Sequence, residues 1–180
     1  MKKLLLHSCC APCSSSVLEK LTKDYEVVVF YYNPNIFPPE EYYIRQTEEI
    51  NFCAQVYGDK VKVIESDYFP QDFYNIAIGL EDAPEGGERC AKCFALRLDA
   101  TAKLAKELGC DLFTTTLSVS PHKNAKLLNQ IGATIAQKYG VDYLVSDFKK
   151  QDGYKRSIQL SKQYSLYRQS YCGCQFSQKK

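Results

Sequence analysis

The chain alternates between two hydrophobic rhythms. Short apolar runs read as strands buried on both faces: "KLLLHS" (3–8), "YEVVVFYYN" (25–33), "KVKVIESD" (60–67), "DLFTTTLSVS" (111–120) and "VDYLVSD" (141–147). Between them lie stretches of helical period. "SSSVLEKLTK" (14–23) carries serines that can cap it, and "EEYYIRQTEEINFCAQVYG" (40–58) ends on Gly58. "FPQDFYNIAIGL" (69–80), "CAKCFALRLDATAKLAKELG" (90–109) and "NAKLLNQIGATIAQKYG" (124–140) follow. In the helix over 90–109 the spacing puts Leu96, Ala100, Leu104 and Leu108 on one side. "NPNIFPP" (33–39) stops the second strand, and "EDAPEGGER" (81–89) is a loop. One short helix is predicted around "SIQLSKQY" (157–164).

Strand and helix alternate from end to end, with no repeat or linker. This predicts one α/β domain over 1–180, with a parallel five-stranded sheet and helices on both faces. The expected strand order is 3-2-1-4-5, with the strand ending at Ser8 in the centre. In such sheets the site lies at the carboxyl ends of the strands. That rule gathers "CCAPC" (9–13), Asn33, Asn35, Ser120 and Lys123 at one rim.

Composition changes the picture at one point. Nine of 180 residues are cysteine. An odd count in a chain long enough to bury a core argues against a disulfide framework. No apolar run is long enough for a membrane span, and three leucines are too few for a signal peptide. The expected location is therefore the cytoplasm, where thiols stay reduced. Cys53 and Cys110 stand alone and read as small buried hydrophobes. The other seven form three groups: Cys9, Cys10 and Cys13; Cys90 and Cys93; Cys172 and Cys174.

A C-x-x-C pair opening a helix suits a redox dithiol, half a zinc site or an iron–sulfur cluster. Closed zinc needs four ligands. Seven thiols suit one four-thiolate centre with three left over for a second metal or a redox pair. Helix-starting thiols gain from the N-terminal dipole. Adjacent cysteines in an extended segment point opposite ways. On these grounds Cys10, Cys13, Cys90 and Cys93 are assigned to the four-thiolate centre, which on the iron–sulfur reading is a 4Fe–4S cluster, and Cys9, Cys172 and Cys174 to an adjacent metal ion.

Charge adds a partner. Residues 149–180 hold eight Lys or Arg against the single acid Asp152, a net +7 that leaves −5 for residues 1–148. The tail also interleaves aromatics with cations in "SLYRQSYCGCQFS". Cationic segments of this kind suit a polyanion, and rings and guanidinium groups stack on unpaired bases.

Five motifs together resemble a known family, the cobalamin-independent epoxyqueuosine reductases (QueH). They are "LLLHSCCAPCSS", "YYNPNIFPPEEYYIRQ", "ERCAKCFALRL", "FTTTLSVSPHKN" and "FKKQDGYKRSIQLSKQYSLYRQSYCGCQFS". They run in order nearly end to end and contain all seven grouped cysteines. The resemblance implies a Rossmann-like fold of HUP type and an oxidoreductase that deoxygenates the epoxide of epoxyqueuosine at the tRNA wobble position. It implies iron–sulfur chemistry without cobalamin, a second iron beside the cluster, an external electron donor and no membrane. Candidate proton donors are His7 and Lys123. Candidate substrate contacts are Asn33, Asn35, Tyr42, Arg45, Arg97, Ser120, Lys123, Tyr167 and Arg168. Two rival functions remain: a tRNA sulfur transferase akin to PP-loop enzymes, and a non-catalytic zinc-binding RNA module. The first lacks its glycine-rich phosphate loop here.

Overall fold

A computed structural model describes residues 1–177. The five apolar runs form one parallel sheet of strands β1 (Lys2–Ser8), β2 (Tyr25–Tyr31), β3 (Lys62–Glu65), β4 (Leu112–Thr115) and β5 (Asp142–Tyr143). The order is β3-β2-β1-β4-β5, as the alternation predicts. β1 is central. Leu5 registers with Val28 on one side and with Phe113 on the other.

Strand periodicity divides the core into two. Leu4, Leu6, Val27, Val29 and Leu112 face the helices α1 (Ala11–Leu21) and α2 (Pro39–Tyr57), where Val17, Leu18, Phe52 and Cys53 meet them. Leu5, Val28, Phe30 and Phe113 face α4 (Glu88–Glu107) and α5 (Ala125–Tyr139) through Phe94, Leu98, Ala102, Leu128 and Ile135. A fully buried leucine of this kind stabilises by roughly 1.5–3 kcal/mol. Cys53 and Cys110 are buried in these two clusters, where isolated cysteines were expected.

Three local details differ from the sequence reading. α1 begins at Ala11, not at the serines, because Pro12 is tolerated in a first turn and Cys10 takes the cap position. Ser14 and Ser15 lie inside the helix and bond back to the carbonyls of Ala11 and Pro12. On α4 the buried positions include Phe94, Leu98, Thr101, Ala102 and Ala105. Leu96 and Leu104 are only half-buried, and Leu108 is exposed. Small residues let α4 lie close to the sheet, so the leucine stripe is its flank. β4 ends at Thr115 and gives way to a 3-10 turn over Leu117–Val119.

A short helix α3 (Pro70–Ala77) precedes the loop before α4, and α6 (Gly153–Gln163) packs on α1. The chain then returns along the carboxyl rim. Cys174 bridges to Ile36, the loop residue beyond β2. Lys179 and Lys180, part of the basic tail, lie outside the described residues. Among the described residues no helix is long and apolar enough to cross a membrane.

Candidate active site

All three cysteine groups come to the carboxyl rim. β1 ends at Ser8, and the next residues carry Cys9 and Cys10 into the first turn of α1, where Cys13 lies. The three Sγ atoms fall within 4.8 Å of one another. Cys9 Sγ also lies 3.6 Å from Thr116 Oγ1, just beyond β4. Hydrogen bonds from Cys10 and Cys13 hold the Cys9 thiol well below its ordinary range, and Cys13 is pushed up correspondingly.

The second grouping joins α4 to the tail. Cys90 and Cys93, one turn apart, line a cavity of about 60 Å³ together with Cys172 and Cys174. A hydrogen bond from Cys174 lowers the Cys172 thiol to about 5. A larger cavity of about 620 Å³ adjoins it, with Cys9, Cys13 and Cys172 in its wall. Cys172, Arg97, His122 and Lys123 line both spaces, as does Glu85. The thiols thus sort as a trio and a quartet. The expected metal split paired Cys10 and Cys13 with Cys90 and Cys93; the structure places Cys10 and Cys13 with Cys9 and sets Cys172 and Cys174 beside the α4 pair. The tail folds back far enough to bring its own two thiols to the α4 pair, which sequence separation hides.

Arg97 sets the electrostatics. It is 3 % exposed, and no carboxylate pairs with it among the described residues. Its Nη1 donates to Asn33 Oδ1 at 3.3 Å, and its Nε has no partner. A buried charge requires a counter-charge. Cys172, whose thiol is held low chiefly by Cys174, also feels the guanidinium, and Cys93 feels it too although burial pushes the Cys93 thiol up. Asn35 Oδ1 is likewise buried without a partner in the smaller cavity.

The remaining candidates fall into two sets. Ser120, Lys123, Arg97, Arg168 and Arg45 line the larger cavity. His7, Asn33, Tyr42 and Tyr167 line neither space. His7 is fully buried, with Nε2 donating to the carbonyl of Tyr32 and Nδ1 against Thr115 Oγ1, both at 2.9 Å. Burial lowers it to about 4, so it is neutral. Asn33 Nδ2 donates to the Ser8 carbonyl at 2.9 Å, tying β2 to the thiol loop. Tyr42 packs on Tyr68 and donates to the Ser66 carbonyl. Tyr167 donates to the Glu41 carboxylate at 3.1 Å.

Two residues at the site lie outside the candidates drawn from the sequence. Gln169 Nε2 donates to Cys10 Sγ at 2.9 Å from the tail. Arg89, 1 % exposed, donates to the carbonyls of Leu80, Glu81 and Ala83 and to Ser177 Oγ, joining the loop before α4 to the end of the tail. Only the "ERC" run, placing a cation directly before Cys90, hinted at Arg89.

A Rossmann-like α/β sheet whose carboxyl rim gathers seven thiols, six of them lining two adjoining cavities, defines a thiol-centred enzyme fold. The family model for "Epoxyqueuosine reductase QueH" matches residues 4–180. Epoxyqueuosine reductase QueH of Streptococcus pyogenes serotype M1 is 44% identical over 180 residues, covering 98% of this chain and 70% of the relative. That of Staphylococcus epidermidis is 46% identical, with 97% and 76% covered, and that of Thermotoga maritima 37%, with 98% and 91% covered. The chain belongs to the QueH family of epoxyqueuosine reductases.

Proposed function

We propose that this chain acts as one cytoplasmic catalytic unit that deoxygenates the epoxide of epoxyqueuosine in tRNA to the alkene. The observation that carries the siting is the shared wall. Cys172, Arg97 and Lys123 line both the four-thiol cavity and the larger one. An electron source in the first would lie against a substrate in the second.

The donor chemistry fits an iron–sulfur centre. Soft thiolates are its usual ligands. The unpaired Arg97 supplies the cation that an anionic thiolate centre needs. Cys90, Cys93, Cys172 and Cys174 would hold a 4Fe–4S cluster, and Cys9, Cys10 and Cys13 an adjacent iron ion. When bound, the cluster supplies electrons singly and the iron acts as a Lewis acid.

The reaction consumes two electrons from an external donor and two protons, and releases water. The protein's part is to orient the nucleotide and to deliver protons. Lys123 Nζ, half-buried at the junction of the cavities, is the proton donor to the epoxide oxygen. His7 serves as scaffold, since both its ring nitrogens are engaged. Ser120 and Arg168 hold the nucleotide in the larger cavity, and Tyr171 offers a ring for stacking there.

The test is an absorption spectrum of anaerobically purified protein, followed by turnover of tRNA carrying epoxyqueuosine with a chemical reductant. A broad band near ~400 nm is expected from cluster chemistry, with product formed without cobalamin. A colourless protein holding zinc would establish the non-catalytic module instead. Stoichiometric ATP binding would favour the sulfur transferase.

A further inference from the structure

Two of the quartet's thiols sit on a tail that no regular element supports. Cys172 and Cys174 flank Gly173 in an irregular segment, whose regular structure among the described residues is a one-pair bridge to Ile36 and a 3-10 turn after it. Arg45 meets this segment from α2. Its side chain is 1 % exposed. Nη1 donates to the Cys172 carbonyl and Nη2 to the Tyr171 carbonyl, each at 3.0 Å. Nε donates to Glu41 Oε1 at 2.9 Å. All three nitrogens are therefore committed, and the ring of Tyr171 lies 5.4 Å from the guanidinium.

From these contacts we infer that Arg45 is a positioning residue that sets Cys172 and Cys174 into the four-thiol cavity. Two consecutive carbonyls gripped by one planar fork fix the peptide planes on both sides of the Cys172 α-carbon, and so fix where its side chain departs. A lysine offers a single point charge and cannot hold both carbonyls in that geometry.

The opposite side of the segment is pinned as well. Phe37 N donates to the Gly173 carbonyl at 2.8 Å. Gly173 has φ +109°, and a Cβ there would lie 2.7 Å from Ile36 Cγ1 and 3.2 Å from Arg45 Nη1. The guanidinium and Ile36 occupy the space beside the glycine of "CGC". Glu41 completes the clamp by accepting from the Tyr167 hydroxyl as well as from Arg45. The sequence reading gave Arg45 to the substrate. Its place in the larger cavity's wall is compatible with that, but its hydrogen-bonding groups face the tail.

The inference rests on reading Cys90, Cys93, Cys172 and Cys174 as one ligand set, and its test separates the two. Metal-free full-length chain is titrated with Co²⁺ under anaerobic reducing conditions. Thiols protected by the metal are mapped by alkylation and mass spectrometry. In the wild type all four should be protected. Failure there overturns the ligand set, and the clamp with it.

Given wild-type protection, Arg45→Met should leave Cys172 and Cys174 open to alkylation in the presence of Co²⁺. Affinity should fall roughly 10–100-fold, the usual cost of losing a residue that orients metal ligands. Arg45→Lys should recover part of that loss. Gly173→Ala, which keeps the charge but crowds the fork, should resemble Arg45→Met. If Arg45→Met does not fold, Gly173→Ala and Arg45→Lys decide the matter. Wild-type protection and affinity in Arg45→Met, or in both other variants, would overturn the clamp.

Discussion

Arg97 Nη1 donates to Asn33 Oδ1 at 3.3 Å, and Asn33 in turn donates to the carbonyl of Ser8, where β1 ends. Two side chains thus tie α4 across β2 to the residue before the thiol trio. They hold a cation in the wall of both cavities that no carboxylate pairs with among the described residues.

The first prediction concerns that charge. A unit charge in the wall of a cavity that would hold a reducible centre, at an effective dielectric near 20, is worth on the order of a few kcal/mol. For one electron this is on the order of 100 mV. Reduction adds negative charge, so Arg97→Met should lower the midpoint potential of the reconstituted centre by about that amount. Asn33→Ala keeps the charge but frees the guanidinium, and should shift the potential less. An EPR-monitored redox titration measures both. A potential unmoved in Arg97→Met would mean that the guanidinium serves packing alone.

Much of this was legible beforehand, and particular residues show where legibility stopped. The strand order and the gathering of "CCAPC", Asn35, Ser120 and Lys123 at one rim followed from alternation, because parallel sheets place βα loops on one edge. The pairing of Cys172 and Cys174 with Cys90 and Cys93 was not legible. It depends on a tail returning over roughly eighty residues of sequence separation, held by side-chain contacts to carbonyls that have no sequence pattern. His7 and Tyr42 look like site residues in the chain because of their chemistry and position. In the fold each spends its polar atoms on a neighbouring strand or loop.

The second prediction is a pH dependence. Glu49 is fully buried on α2, accepting from Ser14 Oγ at 3.1 Å and facing the Cys53 thiol. Burial raises its carboxyl to about 7. In the unfolded chain it titrates near 4.5. Between these values the folded state holds a proton that the unfolded state has released. Stability from this group is therefore full below about pH 4.5 and lost as pH rises through 7, by about 3 kcal/mol in all. Glu49→Gln should remove that slope. Urea unfolding of metal-free reduced protein should show the variant gaining on the wild type between pH 5 and pH 8. A constant difference at both pH values would show that Glu49 does not titrate in this window.

The third prediction concerns packing at the sheet edge. A Cβ on Gly132, in the middle of α5, would lie 2.5 Å from the Tyr143 ring on β5. The ring is fixed between α5 and Phe113, whose centroid is 5.2 Å away. Gly132→Ala gains helix propensity but must displace the ring, and overpacking of this kind costs roughly 1–3 kcal/mol. The net change should be destabilising. In a Tyr143→Leu background the same substitution should be neutral or stabilising, so the pair should be strongly non-additive by denaturant unfolding. Additive effects would mean that the ring moves aside freely.

The fourth prediction separates tail cations that serve structure from those that can meet tRNA. Arg156 is bound to Glu19 at 2.7 Å and Lys149 to Asp147 at 3.0 Å. Lys150, Lys155 and Lys162 are exposed, with no ion pair among the described residues. Each phosphate contact contributes about 0.7–0.9 units to the slope of log K against log salt. Replacing Lys150, Lys155 and Lys162 together by alanine should therefore flatten the slope by roughly two units for tRNA binding. Replacing Lys149 and Arg156 should flatten it less, because both already have partners that must be displaced before a phosphate can be met. Fluorescence anisotropy with labelled tRNA across a salt series gives both slopes. Should the triple variant bind with the wild-type slope, the exposed lysines do not touch the phosphates, and the tail's positive charge acts on solubility instead.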